Sequence, residues 1–141
     1  MGPLHTDVTV KGNKASVELK NVLIDTGATY TVLPEEMLER VGAARLPTEI
    51  KIELGNGEKV KAKAKAKAYG VVIKIEDVEA PSISITFKGA QTVIGVETLE
   101  SIGLKLDPTT GRLEFTRPKG VAYFFREGHP GGNRGESLSP S

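Results

Sequence analysis

Cysteine is absent from this 141-residue chain. Its absence removes disulfides, thiolate catalysis, iron–sulfur clusters and cysteine-type zinc sites in one step. Histidine is scarce: His5 and His129, near opposite ends, are the only two. A Ser–His–Asp triad or a His-rich metal site would have to be built from a terminus. Catalysis, if there is any, falls to carboxylates, hydroxyls, lysines or backbone amides. Charge of one sign is lacking as well, with 19 Lys plus Arg against 18 Asp plus Glu and a formal net charge of +1. Such a balance gives no general drive toward nucleic acid or acidic lipid. The longest apolar runs span a few residues, too short for a transmembrane helix. No charged segment followed by an apolar stretch opens the chain, so no secretory signal is visible.

What remains is an ordinary soluble composition, 38% apolar and 26% charged, long enough for one core but not two. Val8 and Val10, then Val17 and Leu19, alternate around Gly12-Asn13, which predicts a hairpin. Val22-Leu23-Ile24 is a short continuous apolar run, the pattern of a strand buried on both faces. It ends at Asp25-Thr26-Gly27, and a second short strand is expected over Tyr30 to Leu33. Pro34 suits the first position of a helix, with Glu35 and Glu36 in its first turn, Met37, Leu38 and Val41 on its apolar face and Gly42 ending it.

Ile50, Ile52 and Leu54 alternate ahead of Gly55-Asn56-Gly57, a strong hairpin signal. Lys61 to Ala68 repeats Lys-Ala, placing lysines on one face of a strand and alanines on the other. Local propensity favours helix here. Continuity with the hairpin decides for strand. Further strands are expected over Val71 to Val78 and Ser82 to Phe87, parted by Ala80-Pro81. Val93-Ile94 is a second short buried run closed by Gly95. A short helix over Glu97 to Ile102 precedes a last pair of strands, Leu104 to Leu106 and Arg112 to Phe115. The expected fold is mostly β, a small closed barrel or sandwich with two short helices. From residue 117 the text changes: the last 25 residues hold five of the 16 glycines and three of the eight prolines. Val121 to Phe125 is an apolar cluster that could dock as a strand on this subunit or a neighbour, and Gly128 to Ser141 reads as a flexible tail. The division expected is a domain over 1–116 and an extension over 117–141.

Asp25-Thr26-Gly27 is the most informative tripeptide. Alone it is a weak signal, equally an Asx turn. In context it puts a carboxylate at the tip of a tight turn with apolar walls. Gly27 permits close backbone approach, and the Thr26 hydroxyl can pin the loop. About 70 residues on comes Val93-Ile94-Gly95, followed by Leu99, Ile102 and Gly103.

Together these segments resemble the retropepsin-like, or retroviral-type, aspartic proteases. The resembling text is Leu23-Ile24-Asp25-Thr26-Gly27-Ala28-Thr29, then Thr31-Val32-Leu33-Pro34, then Val93-Ile94-Gly95 with Leu99, Ile102 and Gly103. The resemblance implies a catalytic Asp25 supported by Thr26 and Gly27, and an apolar-apolar-Gly segment crossing beneath it. It also implies a flap over the substrate, here Glu49 to Lys61. Ala28, Thr29, Gly55, Asn56, Gly57 and Ile94 would contact substrate. Thr29 stands where many viral members have an aspartate. Peptide hydrolysis by this route needs two carboxylates sharing a proton. The chain carries one Asp-Thr-Gly and no Asp-Ser-Gly, so counting predicts a homodimer with Asp25 from each subunit on a two-fold axis. The expected substrate is a peptide or unfolded protein, with no metal or organic cofactor and no membrane partner.

Two other readings stay open. The chain could be a peptide- or protein-binding module that keeps the fold without turnover. It could also be a small nucleic-acid-binding barrel, although the lysine row lacks the interleaved aromatics that stack bases and is more simply a solvated face that discourages edge pairing. Glu35, Glu36 and Glu39 read as helix-terminal acids rather than a cation site. The lack of cysteine fits a cytoplasmic location.

Overall fold

The alternating segments become strands wherever a partner strand is within reach. The computed structural model describes residues 4–55 and 60–125. Asn56 and Gly57 of the expected flap tip, and the expected flexible tail from Gly128, lie outside the described residues. The elements are β1 (His5–Lys11), β2 (Ser16–Ile24), β3 (Thr31–Val32), α1 (Glu35–Val41), β4 (Ala44–Gly55), β5 (Val60–Ile75), β6 (Val78–Thr86), β7 (Val93–Ile94), α2 (Val96–Ile102), β8 (Leu104–Asp107) and β9 (Arg112–Phe115). The chain is mostly β with two short helices, as its patterning predicts.

Seven strands form one sheet in the order β1-β2-β7-β3-β6-β5-β4. A further pairing of β1 with β5, Val10 opposite Ile73, closes the first six into a barrel-like ring. Strand β4 stays outside that ring and pairs only with β5, as one arm of a long hairpin. β8 and β9 make a separate two-stranded sheet. Inside the ring, Val8, Val10, Val22, Ile24, Leu33 and Ile73 pack with Ile94 and with Leu99 and Ile102 of α2. This core anchors the ends of β2 and β7, the strands that lead into the two motifs.

The lysine–alanine row is strand, within β5. Its register explains why pairing overrides helix propensity. Ala64 and Ala66 lie opposite Ile52 and Ile50, while Lys63 and Lys67 lie opposite Glu53 and Glu49. The apolar face is therefore matched throughout, and two of the three charged pairs set cation against carboxylate, while Lys51 faces Lys65. Lys67 also reaches Glu35 of α1 at 2.8 Å. The hydrogen bond that Lys67 donates to that carboxylate, and then the carboxylate's charge, raise the lysine pKa.

Several boundaries differ from expectation. β5 runs on to Ile75, and β6 begins at Val78 and continues through Ala80-Pro81. The break falls instead at Glu76-Asp77, where both residues have positive φ, 54° and 66°, the geometry of a two-residue hairpin turn. Pro81 is tolerated because β6 pairs with β3 only at Ser84 and Ile85, leaving that end of the strand an open edge. Pro34 occupies the N-cap position of α1, with extended backbone at ψ 144°, one residue before its expected place. Gly42 does end the helix, in the left-handed region at φ 73°, and the next N–H, of Ala43, donates back to Leu38 O at 2.9 Å. That closure satisfies a carbonyl the helix leaves open. Val121 to Phe125 forms no strand on this chain. Phe124 and Phe125 stand 96% and 82% exposed. No helix among the described residues is long and apolar enough to cross a membrane.

Candidate active site

The parallel pairing of β2 with β7 puts Leu23 beside Val93 and Ile24 beside Ile94. Both strands then stop, and the loops they release are stitched together. The Asp25 N–H donates to Ile94 O at 2.9 Å, the Val96 N–H to Ala28 O at 2.8 Å and the Glu97 N–H to Thr29 O at 2.8 Å. Ile94 is completely buried beneath the loop. Within the loop, the Ala28 N–H donates to Asp25 O at 3.0 Å, closing a tight turn. The Gly27 N–H donates to Asp25 Oδ1 at 2.9 Å. That bond aims the carboxyl, whose residue is exposed on the single chain.

A cleft of about 630 Å³ opens at this carboxylate. Its floor includes Val32, Ile85 and Val93, and the hairpin of β4 and β5 contributes Ile50, Ile52, Leu54 and Gly55. Among the residues singled out from sequence, Asp25, Gly27, Ala28, Thr29 and Gly55 line this one cleft. Ile94 does not: it lies under the loop, and its neighbour Val93 forms the wall instead. Thr26 is exposed at the turn. The cleft residues that sequence reasoning missed are mainly Ile50, Ile52 and Phe87. The alternation of β4 was legible, but which of its faces meets the cleft depends on pairing with β5.

A second omission lies behind the loop. Thr31, Ser82 and Thr98 are buried and hydrogen-bonded to one another through their hydroxyls. Scattered over more than 60 residues, they carry no local pattern that could have grouped them. Among the described residues no cluster of three or more His, Cys, Asp or Glu is placed to hold a metal ion.

Chemically, the arrangement offers an exposed carboxylate, held by backbone bonds, at the edge of a cleft lined mainly by apolar side chains, with Thr29, Lys51, Glu53 and Gln91 also on it and β4 along one side. No curated protein matches the chain with significance. A model of the family described as "gag-polyprotein putative aspartyl protease" matches residues 6–101. That span runs from β1 into α2 and takes in Asp25, the hairpin of β4 and β5 and the β7 crossing beneath the loop, so the chain belongs to the retropepsin-like aspartyl proteases.

Proposed function

We propose that the protein is a homodimeric aspartic endopeptidase. The observation that carries this reading is the exposed Asp25 carboxyl, oriented by the Gly27 N–H and opening onto an apolar cleft. A lone carboxylate cannot both deprotonate a water and protonate a carbonyl. A second copy related by a two-fold axis brings in the missing Asp25. Two carboxyls roughly 3 Å apart resist joint ionisation, so the pair holds one proton between them, as aspartic protease dyads do in general. The ionised member takes a proton from water as the water oxygen attacks the scissile carbonyl carbon. The protonated member donates to the carbonyl oxygen, giving a neutral tetrahedral diol. On collapse the carboxylate now ionised takes a proton from a diol hydroxyl, the other carboxyl gives its proton to the amide nitrogen, and the C–N bond breaks.

Thr26 and Gly27 hold the two turns in register. Ala28, Thr29 and Gly55, with the hairpin of β4 and β5 as a flap, take an extended peptide whose main chain supplies much of the grip. The apolar inner face of that hairpin favours apolar side chains around the cut. Asn56 and Gly57 would complete the flap tip. Residues 117–141 act as an extension to the catalytic domain, and a cytoplasmic location suits a chain without cysteine.

The test is cleavage of casein from acidic to neutral pH by wild type and Asp25→Asn, with pepstatin as a control and sedimentation reporting the dimer. Cutting by the wild-type dimer alone is the expected result. A wild-type dimer that binds peptide and cuts none, like the variant, would instead make the protein a binding module on the same fold.

A further inference from the structure

The loop bearing Asp25 is held from behind by a chain of hydroxyls that ends on one carboxylate, Glu97. The Gly95 N–H donates to Thr31 Oγ1 at 3.1 Å. Thr31 Oγ1 is bonded to Thr98 Oγ1, Thr98 Oγ1 to Ser82 Oγ at 2.7 Å, and the Ser82 hydroxyl donates to Glu97 Oε1 at 3.0 Å. The same Oε1 accepts the Ile83 N–H at 3.1 Å, and Oε2 accepts the Ser101 hydroxyl at 3.0 Å.

Proton counting gives this chain a direction. Each hydroxyl has one proton to donate. Ser82 spends its proton on Glu97, so Thr98 must donate to Ser82 and Thr31 to Thr98. That leaves Thr31 oxygen lone pairs for the Gly95 N–H. Every polar group in the series is satisfied only because an acceptor stands at the end. Thr31, Ser82 and Thr98 are buried, where an unmatched hydroxyl is costly.

Glu97 also sits where the loop is tied down. Its own N–H holds Thr29 O, and the N–H of Val96 holds Ala28 O. Its carboxylate meanwhile grips β6 through Ser82 and Ile83. We infer that Glu97 is a positioning residue for the Asp25 carboxyl: by terminating the hydroxyl chain and fixing the first turn of α2 to β6, it sets the place of the loop that carries the reacting group. It is not among the residues that line the cleft. Glu97 therefore acts through the loop that carries Asp25, Ala28 and Thr29, and not through the β4 residues Ile50 and Ile52 across the cleft.

This inference rests on the protease reading, and its test separates the two. In kinetics on a cleaved peptide, Glu97→Ala lowers kcat roughly 10- to 100-fold, the scale of a misplaced catalytic group, with a smaller rise in KM because Ala28 and Thr29 ride on the same loop. Glu97→Gln recovers most of kcat, because its carbonyl oxygen accepts Ser82 and Ile83 while its amide donates to a Ser101 hydroxyl that turns its proton away. Ser101→Ala leaves kcat within about twofold, since it removes a donor outside the chain. Amide hydrogen exchange reads the same contact without turnover: the Asp25, Val96 and Glu97 amides exchange faster in Glu97→Ala and at wild-type rates in Glu97→Gln. Unchanged kcat and exchange in Glu97→Ala, or Glu97→Gln as impaired as Glu97→Ala, would overturn the inference. So would a global loss of folding in Glu97→Ala that accounts for the whole drop in rate. If wild type cleaves nothing yet exchange follows the stated pattern, the protease reading fails and the positioning of the loop by Glu97 stands.

Discussion

The backbone carbonyl of Tyr30 passes within 2.5 Å of where a Cβ on Gly95 would stand, and the Ala28 carbonyl within 2.8 Å. No side chain, however small, fits between β7 and the loop it crosses. The glycine closing the second motif thus sets how closely the two loops can lie. Gly95→Ala must push backbone against backbone, which is expected to cost about 3 kcal/mol or more. Chemical denaturation of the variant checks this, and a loss below about 1 kcal/mol would mean the crossing can spread without penalty.

Gly27 makes a different demand. A Cβ there would approach Asp25 Oδ1 at 3.2 Å, against the very atom that the Gly27 N–H holds at 2.9 Å. The turn is exposed on the single chain, so Gly27→Ala is expected to leave the fold of each subunit intact, with any fall in melting temperature coming from the dimer contact. On the proposed reading kcat falls at least about tenfold as the carboxyl is displaced. Paired melting and peptide-cleavage measurements decide it, and unaltered cleavage counts against the orientation argument.

Ile52 projects from the inner face of the β4–β5 hairpin, opposite Ala64, and lines the cleft. It is only half-buried in the single chain, so Ile52→Ser should cost little stability. Losing its apolar contact with a bound peptide should raise KM about fivefold with kcat largely kept, equivalent to roughly 1 kcal/mol of binding. Steady-state kinetics on a peptide with apolar residues at the cut reads this. A fall in kcat alone would place Ile52 in the chemical step instead.

Asp107, at the end of β8, accepts the Thr109 hydroxyl at 2.7 Å and the Thr109 N–H at 2.9 Å through Oδ1. These bonds to the ionised form lower its pKa to about 2. A carboxyl whose folded pKa lies below its unfolded value, about 3.9, contributes stability that is present above the unfolded value. That contribution is lost as pH falls through the folded one. Asp107→Ala is therefore expected to melt lower than wild type above about pH 4, with the gap closing toward pH 2. A gap independent of pH would mean that the turn, not the charge, supplies the stability.

Local patterning already placed most of the strands, the glycines that end both helices and the two motifs. Apolar alternation reports period, and glycine reports a left-handed turn or a close approach, wherever the neighbours in sequence are the neighbours in space. Gly42 and Gly95 were legible on that basis. The lysine–alanine row was ambiguous in itself, since its residues prefer helix, and pairing with β4 along most of its length settled it, β6 joining only at Lys67 and Ala68. The break between β5 and β6 was misplaced because Pro81 is a stronger local signal than Glu76-Asp77, yet only an open sheet edge decides whether proline interrupts a strand. Ile94 read as a cleft wall because an apolar residue beside a motif looks the same from either side. The parallel crossing of β7 beneath Asp25 buries it. By itself, then, the sequence determined that a carboxylate turn and an apolar-apolar-glycine run exist in a mostly β chain. Tertiary structure alone decided what they meet: which hairpin face covers the cleft, and which hydroxyls line up between Gly95 and Glu97. Those meetings depend on ring closure through β1 and β5, and register between residues more than 60 apart leaves no periodic mark in the text of the chain.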